Sequence, residues 1–419
     1  MLSERIKSYF KDKNPARLQV WKYIGPGLLV TIGFIDPGNW ASNIAAGSYY
    51  GYTLLWVTTL STIMLIFFQH NTAHLGIITG LCLSEATTTH LKPSLSITVL
   101  VSAIIATIST ALAEIFGGAI ALKMLFGLPL KIGGLIISIF TLWMLFNNSY
   151  RKIEKWIIGF VSIIGVSFII EMFLNNTNWG EAAKGWLVPN APLNSMVIIM
   201  SVLGAVVMPH NLYLHSEIIQ SRQWNLTDDK TKVNRLKFEF IDTLMSMIIG
   251  FAINSAMIIL AAGVFFQNKI KVTELEQAQS LLTPLLGKMA AIIFAVALLF
   301  AGIASSVTAG MAGGSIFAGM LKEPYDIKDK HTRFGVIITI VFAMITILFI
   351  ENTFNALIYS QMILSIQLPL TIVSLIYLTS SKKVMGKYKN TILNKIILWG
   401  LGIIVVFLNI KLFISFFNS

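Results

Sequence analysis

Residues 25–47 read GPGLLVTIGFIDPGNWASNIAAG, an apolar run long enough to cross a bilayer as helix but interrupted midway by Asp36, Pro37 and Gly38. Proline removes a backbone donor and glycine relaxes the chain, so the helix is expected to unwind there. A carboxylate at that depth is costly, and unwound carbonyls are tolerated in a membrane only where they line a cavity or are buried in protein. A bound cation offsets both penalties. The bland alternative, a kinked helix whose Asp36 pairs with a neighbouring helix, accounts less well for Asn39, which adds a second oxygen one turn on.

Residues 195–220, SMVIIMSVLGAVVMPHNLYLHSEIIQ, repeat the pattern with Gly204, Met208, Pro209 and His210. Pro209 leaves carbonyls such as that of Ala205 without their helical donors, and Met208 can present a thioether at the unwound turn. A lone methionine in a membrane helix is usually core filler; at a break facing Asp36 it reads as a ligand. Carboxylate and amide oxygens, a freed carbonyl and one soft sulfur suit Mn²⁺, Fe²⁺ or a similar ion better than Mg²⁺ or Ca²⁺, which prefer all-oxygen shells.

The remaining sequence fits this picture. Of 419 residues, 55% are hydrophobic and 12% charged, against roughly a quarter charged in soluble domains, so the chain reads as one integral membrane domain. The expected spans are 24–50, 54–78, 95–126, 132–147, 156–174, 195–220, 238–266, 286–320, 334–350, 354–379 and 391–415. No small-residue cleavage site follows the first apolar run, so residues 1–23 read as a basic cytoplasmic arm rather than a removed leader. Cys82 is the single cysteine, which leaves no disulfide framework and no cysteine metal site.

The net charge of +12 is a topology signal, not a nucleic-acid patch. With the amino terminus inside, 23 of the 31 Lys and Arg fall on cytoplasmic segments, including Arg151, Lys152 and Lys155, and 7 on outer ones. An odd number of spans then puts the carboxyl terminus outside a cell membrane. Five spans (24–174), five more (195–379) and a leftover eleventh (391–415) would insert the second set upside down. In such inverted repeats the substrate site lies at midplane, where the first helix of each repeat is broken.

Other polar residues lie inside apolar runs. Glu114 is a functional candidate by default, with Gly117 and Gly118 permitting close packing beside it. Gln361 and Gln367 precede Pro369 in the tenth span, and an inward Gln361 amide can join a metal shell or join helices together. His210 and His215 are five apart, not the three or four of a zinc-protease helix, so a hydrolase is excluded. Both can exchange protons near neutral pH, or instead hold the unwound segment by hydrogen bonds.

The quoted stretches closely resemble the Nramp family of metal transporters: DPGNW in the first span, GAVVMPHNLYLHS in the sixth, AIAL with a preceding glutamate in the third, and SQxxLSIQLP in the tenth. The resemblance extends from Gly25 to the tenth span. It implies a LeuT-like fold and proton-linked import of Mn²⁺ or Fe²⁺, the metal being transported cargo with no resident cofactor. It further implies ligation by Asp36, Asn39, the Ala205 carbonyl and Met208, with Gln361 joining in an occluded state, and a proton pathway drawing on Asp36, His210, Glu114 and His215. Partners expected are the divalent metal, protons and the lipid bilayer, with the chain a monomer.

Departures fall elsewhere. The acidic residue usual three positions before the glutamate is Ala111, the basic residue at the inner end of the second span is His74, and the usual arginines near the ninth span are reduced to Arg333. The eighth-span polar pattern is reduced to Gly302, Ile303, Ala304 and Ser305. These changes leave a gap in the relay, so uptake is expected to depend weakly on an imposed pH gradient. Competing readings are a metal uniporter of altered selectivity, of a Mg²⁺ type, and an amino-acid carrier of the same fold, whose substrate carboxylate Asp36 would repel. A metal sensor would need a soluble output module, and the chain carries none. The charge count predicts that a fluorescent reporter functional only in the cytoplasm stays dark when fused after Ser419; bright cells would put the span count wrong by one.

Overall fold

A computed structural model describes residues 36–147, 162, 165–173, 177–221, 223–283 and 287–417. The basic arm, first-span residues 24–35, Arg151, Lys152, Lys155, fifth-span residues 156–161, 163–164 and 174, and Ser419 lie outside the described residues. The regular structure among the described residues is helical. In chain order the helices are α1 (Pro37–Tyr50), α2 (Leu55–Thr79), α3 (Leu83–His90), α4 (Pro93–Phe126), α5 (Leu130–Phe146), α6 (165–173), α7 (Trp179–Leu187), α8 (Met196–Val206), α9 (Pro209–Gln220), α10 (Asp229–Ala261), α11 (Ala290–Met320), α12 (Lys330–Ile347), α13 (Thr353–Ser380), α14 (Lys382–Met385) and α15 (Ile392–Phe417).

Among the described residues, eight helical stretches are long and apolar enough to cross a membrane, and α5 is a shorter apolar helix beside them. One of the eight runs α1 into α2 through the 3₁₀ turn Gly51–Leu54, and another runs α8 into α9. Their ends have local causes. Pro93 opens α4 at a position where its missing N–H is not needed, and Gly127, with φ +69°, closes it in the left-handed region that other residues avoid.

Three features were not legible as spans. Helix α10 starts at Asp229, well before residue 238, because Asp228 accepts a hydrogen bond from the Thr231 amide at 3.3 Å and caps a charged turn ahead of the apolar part. Helix α7 lies within the polar joint before α8 and is capped by Asn178, which accepts from the Glu181 amide at 3.2 Å. In α3 the Glu85 carboxylate reaches back to the Cys82 amide at 3.0 Å. All three are set by caps, which hydropathy does not register.

The distribution of side chains is that of a bundle dissolved in lipid. Ile403 and Phe407 on α15 and Ile105 on α4 are exposed, whereas Asp36, Glu114 and Gln361 are buried within. Small residues let backbones approach where little else drives helices together. A β-carbon at Gly302 of α11 would stand 2.5 Å from the Gly118 amide nitrogen of α4, and one at Gly204 of α8 would stand 1.9 Å from the Gln361 carbonyl oxygen of α13. Backbone cannot retreat from that overlap as a flexible side chain could. Gly204→Ala is therefore expected to destabilise the bundle by about 1–3 kcal/mol, as overpacking does in other well-packed cores. A thermal midpoint in detergent equal to that of the parent would contradict the packing.

Candidate functional site

The site grows from two helix starts. At the first, Asp36 is the N-cap of α1: its Oδ1 accepts from the Asn39 amide at 2.6 Å, and Pro37 occupies the first helical position. A negative charge at a helix N-terminus is favoured by the helix dipole. The other oxygen, Oδ2, is buried and has no hydrogen-bond partner among the described residues. Asn39 is oriented by its neighbours: Asn43 donates to Asn39 Oδ1 at 2.8 Å and to Asn254 Oδ1 of α10 at 2.9 Å.

At the second start, α8 ends at Val206 and α9 begins at Pro209, leaving Val207 and Met208 outside helical geometry. Pro209 has no N–H to give the Ala205 carbonyl, so that acceptor is left over at the break. The Met208 backbone is extended (φ −72°, ψ 115°), its carbonyl takes the Asn211 amide at 3.1 Å, and its buried side chain packs with Ala106 and Leu364. The Asn211 side-chain amide donates to Met208 Sδ at 3.1 Å.

Gln361 of α13 joins the two starts. Its side chain lies so close to Gly38 that a β-carbon there would be 1.9 Å from Nε2, while its own carbonyl is pressed against Gly204. Gln361 is fully buried and its Oε1 has no partner among the described residues. Gln367, two turns on, donates to Ser102 of α4 at 3.2 Å and accepts from Thr371 at 2.9 Å, so it joins helices and does not face the breaks.

Glu114 approaches from α4. Pro37 packs on Gly117, where a β-carbon would be 2.0 Å from the proline Cγ, and Glu114 sits one turn away on the same face. Its Oε2 and the Ser305 hydroxyl of α11 are both buried without partners among the described residues. His210 Nδ1 is 3.2 Å from the Thr110 hydroxyl of α4, which fixes the ring beside the break. His215 faces a different neighbour, with Nε2 3.4 Å from Oε1 of Glu239 on α10. A separation of five residues turns the two rings about 140° apart on the helix.

Asp36, Gln361 and Glu114 are thus linked through Gly38, Pro37 and Gly117, and Gly204, one residue before Ala205, is pressed on Gln361. Asn43 and Asn254, Thr110, and Asn211 on the methionine sulfur did not stand out in the sequence. All are common polar residues whose partners lie on other helices, except Asn211, whose spacing of three from Met208 was the available signal. Among the described residues, the one group of three ionisable ligands closing to within 4.8 Å is Glu323, Asp329 and His331, outside this site and at the start of α12.

Taken together, these features define a multi-pass α-helical membrane protein with a buried, partly unpartnered polar centre where two helices start. Comparison with known proteins agrees. The family model for natural resistance-associated macrophage protein-like sequences matches residues 27–415, and the chain belongs to this Nramp family, whose members are transporters. It is 40% identical over 398 residues to the divalent metal cation transporter MntH of Nostoc sp., covering 92% of this chain and 89% of that one. Against MntH of Listeria innocua it is 38% identical over 420 residues, covering 98% and 94%. The structure is similar to that of the Eremococcus coleocola manganese transporter, with TM-score 0.78, 26% identity, and coverage of 95% of this chain and 87% of that one. Similarity to the nucleobase-cation-symport-1 family transporter Mhp1, at TM-score 0.60 and 15% identity over 91% and 90% of the chains, concerns the fold alone.

Proposed function

We propose that this chain imports divalent transition-metal ions, Mn²⁺ or Fe²⁺, across a cell membrane. The ion is held by Asp36, Asn39, the Ala205 carbonyl and Met208, with Gln361 completing the shell in an occluded state. The observation that carries the reading is the position of Gln361, wedged against Gly38 and Gly204, beside a buried Asp36 oxygen and a carbonyl deprived of its donor by Pro209. Unpartnered buried oxygens are expensive, and a cation that accepts their lone pairs relieves the expense. Met208 adds softness to an otherwise hard shell.

The architecture consistent with this is a LeuT-like 5+5 inverted repeat followed by an eleventh helix, with the breaks of helices one and six near the bilayer midplane. The amino terminus is cytoplasmic, the carboxyl terminus extracellular, and the monomer is the working unit. Asp36, Glu114, His210 and His215 are the proton-carrying groups. Buried ionisable residues in membrane helices are costly without such a purpose, and Glu114 has an unpartnered oxygen.

Charge and softness at the site are separable. Asp36→Ala removes the full negative charge and should abolish Mn²⁺ uptake into proteoliposomes. Met208→Ala keeps the charge and deletes the sulfur, so Mn²⁺ and Cd²⁺ uptake should weaken while Ca²⁺ or Mg²⁺ gains relative access, by roughly tenfold in the ratio. An unchanged ranking of ions in Met208→Ala would end the soft-ligand argument.

A further inference from the structure

Further along α9, three helices meet at another buried carboxylate. Glu239 of α10 has its side chain 2% exposed; Oε2 lies 2.6 Å from Nδ1 of His70 on α2, and Oε1 accepts the Thr243 hydroxyl at 2.7 Å. Nε2 of His215 on α9 stands 3.4 Å from Oε1, at ion-pair distance but without hydrogen-bond geometry, and Nδ1 of His215 has no partner among the described residues. No Lys or Arg is ion-paired with Glu239 among those residues.

A carboxylate this deep among membrane helices cannot stay ionised without a counter-charge. Among the described residues the counter-charge at Glu239 comes from an imidazolium, so the three groups together hold one exchangeable proton, on a ring or on the carboxyl. The two rings address opposite oxygens rather than converging on one point, which suits proton transfer and not metal ligation. The ends also differ: the His70 side chain is 32% exposed and that of His215 is 1% exposed. His215 is seven residues beyond Met208, about 10 Å along a helix axis, so one end of the trio lies toward the metal site and the other opens outward.

We propose that His215, Glu239 and His70 form the inner leg of the proton route, in place of the carboxylate missing at Ala111. The proposal rests on the metal-transport reading above. As the resident proton leaves, the next one reaches His215, whose imidazolium then balances the carboxylate, and it passes from Nε2 to Oε1 of Glu239, leaving a neutral ring and a neutral carboxyl. Rotation of the carboxyl delivers the proton to Nδ1 of His70, which releases one from Nε2 to water, and exchange with water restores the starting tautomer. One proton enters at His215 as one leaves from His70, and the trio again holds the single proton that balances the carboxylate. The other ionisable side chains at this end of these helices are His74 on α2, Glu217 on α9, and Asp229, Lys230, Lys232, Arg235, Lys237 and Asp242 on α10, with Lys382 and Lys383 on the adjoining α14. With this route in place, the weak coupling expected from Ala111 gives way to measurable proton movement.

The test measures Mn²⁺ uptake and lumen acidification in the same proteoliposomes, for the parent chain and for Glu239→Gln, His70→Gln and His215→Gln. Glu239→Gln should lower Mn²⁺-driven acidification by about tenfold or more, the scale of losing one positioned proton-transfer group, with Mn²⁺ uptake within about twofold of the parent. His70→Gln should do the same, and its exposed position spares the core if Glu239→Gln folds poorly. Undiminished acidification in Glu239→Gln or His70→Gln overturns the relay. So does equal loss of both fluxes in Glu239→Gln with normal fluxes in the two histidine variants, which makes the carboxylate a strut. A parent chain that moves Mn²⁺ without protons overturns the relay and leaves the metal reading standing, whereas one that moves neither overturns both.

Discussion

Proline at 209 withholds a backbone N–H where no water replaces it, and much of the centre of this bundle follows from how that deficit is met. The Ala205 carbonyl is left over, α8 stops, and α9 restarts with Met208 extended between them. Gly204 then allows the α13 backbone to close on α8, which brings Gln361 to the break. On the other side Asp36 ends the same kind of deficit by capping α1 with one oxygen while the second stays unpartnered. Two helix starts that would each be penalties in lipid become a shared polar centre because small residues let a third helix reach both.

The polar centre is held by a second ring of ordinary contacts. Asn43 bridges Asn39 to Asn254 of α10, Ser42 lies 2.5 Å from Ser201 of α8, and Asn211 donates to the Met208 sulfur. These bonds restrict the orientations of groups that would otherwise be free to rotate, which is what selective binding of a small ion requires. They also tie α1 to α8 and α10, so that the interrupted segments are held on both sides.

Two sets of buried ionisable groups in this bundle have different neighbours. Asp36 and Glu114 flank the Pro37–Gly117 contact, with unpartnered oxygens. Glu239 lies between imidazoles on α2 and α9 and is fully occupied. His210 belongs with the first set and His215 with the second, though both come from one short motif. Five residues along a helix is enough to send the rings to α4 and α10 respectively. The family relationship extends over nearly the whole chain.

What the sequence alone determined were the properties that depend on neighbours along the chain. Long apolar runs define membrane helices, Pro37 and Pro209 mark the interruptions, and Asp36, Glu114 and Gln361 stand out because charge and amide groups are rare in such runs. Short capped helices such as α3 and α7 escaped because a single hydrogen bond starts them and hydropathy does not register it. Only the tertiary structure decided which polar groups meet. Nothing along the chain pairs Glu239 with His70, which are 169 positions apart and share a hydrogen bond. Asn43 and Asn254 are 211 apart and do the same. Such pairings are fixed by how glycine-lined helices pack, a matter of shape across the bundle that no local pattern of residues encodes.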